Sequence, residues 1–273
     1  MFTESREQNQ YDLLQTNKSS SIMIEYTTGC NMRCTYCSVS KESWVAEDLN
    51  EELANRISKE AITRKPDEII IHGHGETTML EGWEDKAQQF IDAKMNVSIC
   101  TNLAKEYTLK ELYVLAQLHN ITISLDTIDI KLFKKLRSGG DIRHVIYNMT
   151  RIQDFAKRIG NNSLKNRPSI SWSIVCCDKT IGGLLDLIEY GISLGVDAFT
   201  ICNLRASEAP EGKIPTKHVS EMNIDLCSAA LAIMEQITER CKEKRKKLDI
   251  KPGIMDTLKL KVKDGVTNWT RPV

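Results

Sequence analysis

The sequence has no excess of charge of either sign. Its 273 residues include 37 Lys and Arg against 37 Asp and Glu, so the formal net charge at neutral pH is zero. Such a chain has no global field that would attract nucleic acid or an anionic membrane surface. One basic run, residues 241–247, is interpreted as a solvated helix end, with a nucleic-acid contact as the weaker alternative. Nucleic acid is therefore not expected as a partner.

Long apolar runs are also missing. No segment approaches the roughly 18 consecutive apolar residues that a membrane helix needs. Residues 1–20 have no apolar core flanked by positive charge, as a signal peptide would have. We expect them to form a polar segment of a cytoplasmic protein with no membrane partner. In that reducing compartment the nine cysteines are not expected to form disulfides, and clustered cysteines favour metal binding or redox chemistry.

Short apolar runs alternate with longer helical patterns along most of the chain. The predicted strands cover residues 21–28, 68–75, 96–102, 121–127, 169–176 and 198–204. The predicted helices cover residues 50–65, 84–94, 108–119, 142–159 and 180–194, and Thr108 opens one of them with the spacing of a capping box. Near-continuous apolar strands indicate a parallel sheet covered on both faces. Six βα repeats predict an α/β fold, either an open doubly wound sheet or a six-stranded barrel, and periodicity does not decide between them.

The alternation ends after the sixth predicted strand. A loop rich in Pro and Gly over residues 205–223 is followed by a long helix over about 218–246 and a strand-like segment at 257–263. The expected domain organisation is a core over residues 21–205 and, over 206–273, a C-terminal loop, a long helix and the start of an accessory domain.

Three of the nine cysteines lie within eight residues. Cys30, Cys34 and Cys37 form C-x3-C-x2-C directly after the first predicted strand. The loop after a strand of a parallel α/β protein lies at the carboxyl edge of the sheet, where active sites form. Thiolates suit zinc or an iron–sulfur cluster. A structural zinc ion needs a fourth ligand, and the nearest histidines, His72 and His74, are distant in sequence. A cluster with one open iron is therefore favoured, with a non-catalytic zinc-binding or interaction protein as the alternative.

The cysteine spacing at this position resembles that of the radical S-adenosylmethionine (SAM) superfamily. The resemblance implies a partial (β/α)6 TIM-like barrel with a C-terminal helical extension, a [4Fe–4S] cluster held by Cys30, Cys34 and Cys37, and SAM bound at the open iron. It also implies that SAM is cleaved to a 5′-deoxyadenosyl radical that abstracts a hydrogen atom from the substrate. Family members commonly carry an aromatic residue near the adenine, just before the third cysteine, and Tyr36 occupies that position.

The HGHGETT segment, residues 72–78, looks like the Gly-Gly-Glu-Pro motif of the same family. By that resemblance Gly73, His74, Gly75 and Glu76 hold the ammonium group of SAM. The match is imperfect, because His74 stands beside the glycine and Thr77 stands where proline is usual, but backbone carbonyl acceptors survive both changes. The alternatives are a glycine turn with a solvated Glu76 and a His74 that faces substrate.

Polar residues follow the later strands. By resemblance, those expected to contact the cofactor are Thr101, Asn102, Ser124, Ser173 and Asn203. Asp126 would point at ribose or substrate and is the expected catalytic residue, as a proton acceptor, with an N-cap of the next helix as the alternative. Arg137, in the LRSGG segment, would pair with the SAM carboxylate, with a surface arginine as the alternative.

The LRSGG segment and the C-terminal tail resemble family members whose extension, of the SPASM or Twitch type, binds further clusters. No C-x2-C pair follows Cys37, so we expect truncation before such an extension, with a natural one-cluster form as the alternative. The resemblance implies modification of a sugar, a cyclitol or a peptide side chain, or activation of a glycyl-radical enzyme. The expected partners are a small-molecule or peptide substrate and an electron donor of the flavodoxin or ferredoxin type.

Overall fold

The computed structural model describes residues 21–160, 167–204 and 216–269. Within these ranges the chain forms two compact units, described separately below. The first contains residues 21–33, 42–122 and 143–169, and the second contains the remaining described residues. The expected polar segment over residues 1–20 lies outside the described residues, as does most of the loop predicted over 205–223.

Strands and helices alternate along the described chain. The strands are β1 (Ser21–Met23), β2 (Arg33–Cys34), β3 (Glu68–Ile70), β4 (Val97–Thr101), β5 (Asn120–Ser124), β6 (Arg137–Ser138), β7 (Ser169–Cys176), β8 (Ala198–Asn203) and β9 (Lys247–Ile250). The helices are α1 (Glu51–Arg64), α2 (Trp83–Asp92), α3 (Leu109–Leu115), α4 (Ile130–Leu136), α5 (Ile142–Ile159), α6 (Leu184–Ser193), α7 (Ile224–Glu243) and α8 (Ile254–Trp269). Six of the strands fall on the six predicted runs.

The order of the strands decides between the two predicted architectures. Seven strands form one sheet in the order β1-β3-β4-β5-β7-β8-β9, and a short second sheet joins β2 to β6. The ladders β1–β3, β3–β4, β7–β8 and β8–β9 are all parallel. In a doubly wound sheet the order reverses at a switch point, whereas in a barrel each new strand is added on the same side. The order is strictly sequential, and the partial TIM-like barrel with a C-terminal helical extension is confirmed.

Local signals set the helix boundaries. The capping box predicted at Thr108 is confirmed, because the Thr108 side chain accepts from the Glu111 N–H and the Glu111 carboxylate accepts from the Thr108 N–H. The Asn50 side chain caps α1 in the same manner, accepting from the backbone of Glu52 and Leu53. These caps satisfy amide groups that the first turn of a helix cannot pair internally.

Some elements inside and after the predicted core differ from the expectations, including the short strands β2 and β6, which were not predicted. The strand-like segment 257–263 lies inside helix α8, because Ile254 and Leu258, one turn apart, are both buried while Leu260 is 59% exposed. A short alternation of apolar and polar residues is compatible with the two-residue period of a strand and with the 3.6-residue period of a helix. The packing of Ile254 and Leu258 favours the helix. Strand β9 and helix α4 were missed, since β9 follows a basic run and α4 has only seven residues.

Candidate active site

In the first unit, the loop that leads to Cys30 is anchored by a neighbouring segment. The strand predicted over residues 21–28 forms a ladder only over β1, and from Thr27 onward the chain pairs with residues 44–48 instead. The Thr28 N–H donates to the Glu47 carbonyl over 2.8 Å, the Glu47 N–H donates to Thr28 Oγ1 over 2.8 Å, and Trp44 Nε1 donates to the Thr28 carbonyl over 3.1 Å. These contacts fix the backbone immediately before the first cysteine.

Gly75 brings the HGHGETT loop against this same turn. A Cβ atom on Gly75 would lie 2.6 Å from the Gly29 carbonyl oxygen and closer still to that of Thr27, so no larger residue fits without moving backbone. The approach is held by a hydrogen bond of 2.7 Å from the Glu76 N–H to the Gly29 carbonyl. The absence of a side chain at Gly75 thus allows two backbone segments to approach closely, and its role toward SAM stays a prediction.

Glu76 is a buried carboxylate surrounded by donors. Its Oε1 accepts from Thr101 Oγ1 over 2.7 Å and from Thr78 Oγ1 over 2.8 Å, and its Oε2 accepts from the Asn102 N–H over 2.6 Å. The side chain is not solvated, so that alternative is wrong. Burial raises the pKa of Glu76, although the hydrogen bonds from Asn102, Thr101 and Thr78 oppose the shift. Glu76 therefore joins the carboxyl ends of β3 and β4.

Asn102 extends this network to the first cysteine. Its Nδ2 donates to Asn31 Oδ1 over 2.7 Å and lies 3.8 Å from the Cys30 sulfur. The Met32 N–H donates to the same sulfur over 3.4 Å. Two N–H groups therefore point at a half-buried thiol, an arrangement that also stabilises a thiolate. Asn31 was not among the predicted site residues.

His74 lies beside an acidic residue that the sequence analysis did not single out. The ring Nδ1 of His74 is 3.3 Å from Glu25 Oε1, and the backbone N–H of His74 donates to the same oxygen. The His74 ring centroid is 5.6 Å from that of Trp44. A Cβ atom on Gly73 would overlap the Glu25 side chain, which would have to rotate away to admit it. Glu25 interrupts an otherwise apolar run after β1, and this interruption is the signal that could have identified it.

In the second unit, Cys34 and Cys37 lie at the two ends of a short loop. Cys34 is buried and Cys37 half-buried, and none of the nine cysteines forms a disulfide. The Cys37 N–H donates to the Cys34 carbonyl over 3.2 Å, and the Thr35 N–H donates to the Leu136 carbonyl over 2.8 Å. The hydroxyl oxygens of Thr35 and Ser38 are buried without a hydrogen-bond partner among the described residues.

These unpaired hydroxyls test whether the residues suit an iron–sulfur cluster. A buried hydroxyl without a partner is costly, and hydroxyls beside cysteine ligands are donors for cluster or cysteine sulfur, which accepts hydrogen bonds. No three His, Cys, Asp or Glu side chains in the described ranges are arranged to hold one metal ion. A [4Fe–4S] cluster binds each thiolate through a different iron, so its ligands need not meet at one ion. The donor set fits the cluster.

Asp126 and Arg137 form a buried ion pair in the second unit. Arg137 Nε donates to Asp126 Oδ2 over 2.7 Å and Arg137 Nη2 donates to Asp126 Oδ1 over 3.0 Å. The Tyr36 hydroxyl donates to Asp126 Oδ2, and the Val175 N–H donates to Oδ1 over 2.8 Å. Arg137 is therefore not a surface arginine, and Asp129, not Asp126, caps helix α4, so both alternatives considered for these residues are wrong.

The pKa values in this cluster follow from burial and pairing. Burial raises the pKa of the Tyr36 hydroxyl well above its ordinary value, although the Arg137 cation opposes the shift. Burial alone would lower the pKa of Arg137, but the Asp126 carboxylate raises it well above its ordinary value. Tyr36 therefore keeps its proton and remains a hydrogen-bond donor to Asp126.

The remaining predicted residues lie on strands of the second unit. Ser124 is the last residue of β5, and the Ser173 hydroxyl of β7 lies 3.7 Å from the Cys202 sulfur. Asn203 ends β8, where its Nδ2 donates to the Pro252 carbonyl over 3.3 Å and its Oδ1 is buried without a partner among the described residues. Ser124 and Asn203 lie at the carboxyl ends of their strands, whereas Ser173 lies within β7, and the cofactor roles stay predictions.

Comparison with known proteins identifies the family. The model of the radical SAM superfamily matches residues 24–163, just over half of the chain. The chain belongs to the radical SAM superfamily. The resemblance drawn from the cysteine spacing is thereby confirmed, and the [4Fe–4S] cluster and SAM that it implied are the cofactors of this enzyme superfamily. No helix within the described ranges is long and apolar enough to cross a membrane.

Two similar sequences belong to proteins of different activity. One is the tungsten-containing aldehyde ferredoxin oxidoreductase cofactor-modifying protein of Pyrococcus furiosus, 25% identical over 194 residues that cover 67% of this chain and 51% of that protein. Another is a probable GTP 3′,8-cyclase of Methanococcus aeolicus, 26% identical over 194 residues, covering 67% of this chain and 59% of that one. The family assignment rests on the family model, and at this level of identity the substrate is not transferable.

A solved structure shares the fold over nearly the whole chain. The crystal structure of Streptococcus suis SuiB bound to precursor peptide SuiA matches with a TM-score of 0.66 and 17% sequence identity, covering 94% of this chain and 54% of that one. A crystal structure of SuiB bound to S-adenosylmethionine matches with a TM-score of 0.64. This radical SAM chain spans about half the length of the proteins it matches.

Proposed function

We propose that this protein is a radical SAM enzyme that abstracts a hydrogen atom from a peptide or a small molecule. Cys30, Cys34 and Cys37 would hold the [4Fe–4S] cluster. When bound, the cluster and SAM supply a 5′-deoxyadenosyl radical, and the protein orients the reactants and excludes water. The family match, together with three cysteines that form no disulfide and stand in C-x3-C-x2-C spacing after β1, carries this proposal.

The first unit contributes the groups that would orient the cofactor. The Gly75–Glu76 turn, held against Gly29 by the Glu76 N–H, presents the HGHGETT loop next to the turn that carries Cys30. Glu76 and Asn102 hold that loop to the end of β4, so Gly73, Gly75 and Glu76 occupy fixed positions beside the first cysteine. The proposed SAM ammonium site is therefore preorganised by the protein's own hydrogen bonds.

A peptide substrate is supported by the fold match to SuiB, whose crystal structure contains a precursor peptide. The two sequence relatives, one that modifies a cofactor and one that is a probable nucleotide cyclase, support a small molecule equally. None of the nine cysteines forms a disulfide, which supports operation in a reducing compartment. An electron donor of the flavodoxin or ferredoxin type would supply the electron.

Metal analysis of protein purified without oxygen tests the cluster assignment. The wild type should contain about four irons and four sulfides per chain. Cys34→Ala should lose most of this iron, whereas Cys241→Ala, which removes a buried thiol from helix α7, should retain it. A colourless wild type with bound zinc, or a Cys34→Ala variant with full iron content, would overturn the assignment.

A second assay tests the reaction class. With SAM and dithionite the wild type should form 5′-deoxyadenosine, and Cys34→Ala should form none. Protein with a complete cluster but no 5′-deoxyadenosine under these conditions would contradict the proposed chemistry. With candidate peptides and small molecules carrying deuterium, transfer of the label into 5′-deoxyadenosine would identify the substrate class.

A further inference from the structure

We propose that Asp126 is a positioning residue, which fixes the loop between Cys34 and Cys37 through Tyr36 and Arg137, and that it is not a catalytic proton acceptor. The proposal rests on the proposed function, because Cys34 and Cys37 matter here as cluster ligands. All residues involved belong to the second unit.

The Asp126 carboxylate has no acceptor capacity left for a substrate or for ribose. An ionised carboxylate offers about four lone-pair sites. Those of Asp126 are used by the Arg137 Nε and Nη2 groups, the Tyr36 hydroxyl and the Val175 N–H. The Asp126 side chain is 1% exposed and that of Arg137 is 8% exposed. A catalytic base must reach its proton, and here other donors occupy that position.

The same ion pair is coupled to the cysteine loop at two adjacent points. The Tyr36 side chain contacts Asp126 by its hydroxyl, and its ring lies 5.7 Å from the Arg137 guanidinium carbon. One residue earlier, the Thr35 N–H donates to the carbonyl of Leu136, which directly precedes Arg137. Thr35 is therefore held by Leu136 at the end of helix α4, and Tyr36 is held by the Asp126–Arg137 pair.

Loss of this anchor leaves the loop attached mainly at its first residue, because Cys34 belongs to β2 and β2 pairs with β6. Within the loop, the Ser40 hydroxyl donates to the Cys34 carbonyl over 2.7 Å and the Cys37 N–H donates to the same carbonyl. These contacts define a local turn, but they do not connect Tyr36 or Cys37 to the ends of the strands. Neutralising Asp126 would also leave the Arg137 cation buried without its counter-ion, which is strongly unfavourable. The turn would then sample more orientations, and the two thiols would lose their fixed separation.

The variant Asp126→Asn keeps the size of the side chain and removes the charge. In the apoprotein, hydrogen–deuterium exchange at the Thr35 amide should become faster by at least about tenfold. In the reconstituted protein, iron loss to a chelator should accelerate to a similar degree, and the EPR signal of the reduced cluster should broaden or shift. Glu111→Gln is the matched control, because it neutralises another buried, ion-paired carboxylate, in the first unit. It should leave all three measurements at wild-type values.

Two results would overturn the proposal. The first is Asp126→Asn with wild-type exchange, iron retention and EPR signal but impaired formation of 5′-deoxyadenosine, since this would indicate direct contact with cofactor or substrate. The second is a Tyr36→Phe variant with wild-type exchange and iron loss. This variant removes only the hydroxyl, and it decides the question if Asp126→Asn does not fold. Tyr36→Phe should change exchange and iron loss in the same direction by a smaller factor, and unchanged values would contradict an anchor at this hydroxyl. If the wild type binds no cluster, the proposed function fails, but exchange in the apoprotein still tests the anchor.

Discussion

Replacing Gly75 by alanine tests how closely the two loops of the first unit approach each other. The added Cβ would lie 2.6 Å from the Gly29 carbonyl oxygen and closer to that of Thr27. Both atoms belong to backbone, which cannot rotate away as a side chain would. The loop must therefore move, and the hydrogen bond of 2.7 Å between the Glu76 N–H and the Gly29 carbonyl is lost or stretched.

The expected cost has two parts. Overpacking of this kind costs about 1–3 kcal/mol, and the lost hydrogen bond costs about 1 kcal/mol. The free energy of unfolding should fall by about 2–4 kcal/mol, which for a chain of this size lowers Tm by roughly 4–8 °C. Thermal unfolding of the apoprotein followed by circular dichroism measures this change without depending on the cluster.

Gly182→Ala provides the matched control. No heavy atom lies within 4 Å of a Cβ built on Gly182, so the same chemical change should alter the free energy of unfolding by less than about 0.5 kcal/mol. If Gly75→Ala melted at the temperature of Gly182→Ala, the close approach of the HGHGETT loop to the Gly29 turn would be refuted. The preorganisation inferred for the proposed SAM ammonium site would then have no structural basis.

Two further predictions concern thiol reactivity and pH. In the apoprotein at about pH 8, iodoacetamide should label Cys30 and Cys37 before Cys176 and Cys177. The reason is that burial raises the pKa of Cys176 to about 12 and also raises the pKa of Cys177. Early labelling of Cys176 and Cys177, detected by mass spectrometry, would contradict this burial. Burial lowers the pKa of His72 below its ordinary value, so protonation of His72 favours the unfolded chain. The neutral His72 side chain therefore contributes to stability above about pH 6.5, and this contribution is lost as the pH falls. The Tm advantage of wild type over His72→Gln should therefore shrink between about pH 8 and pH 5.5, and an advantage that does not vary with pH would be inconsistent with a lowered pKa.

Local patterns in the sequence were sufficient for the α/β class and for the family. Apolar runs separated by helical periods predicted six strands that the structure contains, and the Thr108 capping box involves only four consecutive residues. The C-x3-C-x2-C spacing is equally local, so it identified the radical SAM superfamily before any tertiary contact was considered. Such features are encoded within a few residues, and reading them requires no knowledge of what lies opposite.

Long-range contacts were decided only by the tertiary structure. Periodicity could not distinguish a barrel from a doubly wound sheet, because the order of strands depends on which distant segments pair. The pairing of Asp126 with Arg137 and the contact of Glu25 with the Gly73–His74 backbone join residues across different strands and loops. Whether a polar side chain faces a ligand or the protein's own donors depends on these packed neighbours. The sequence alone identified the residue types of the site, and the fold determined which of them remain available for chemistry.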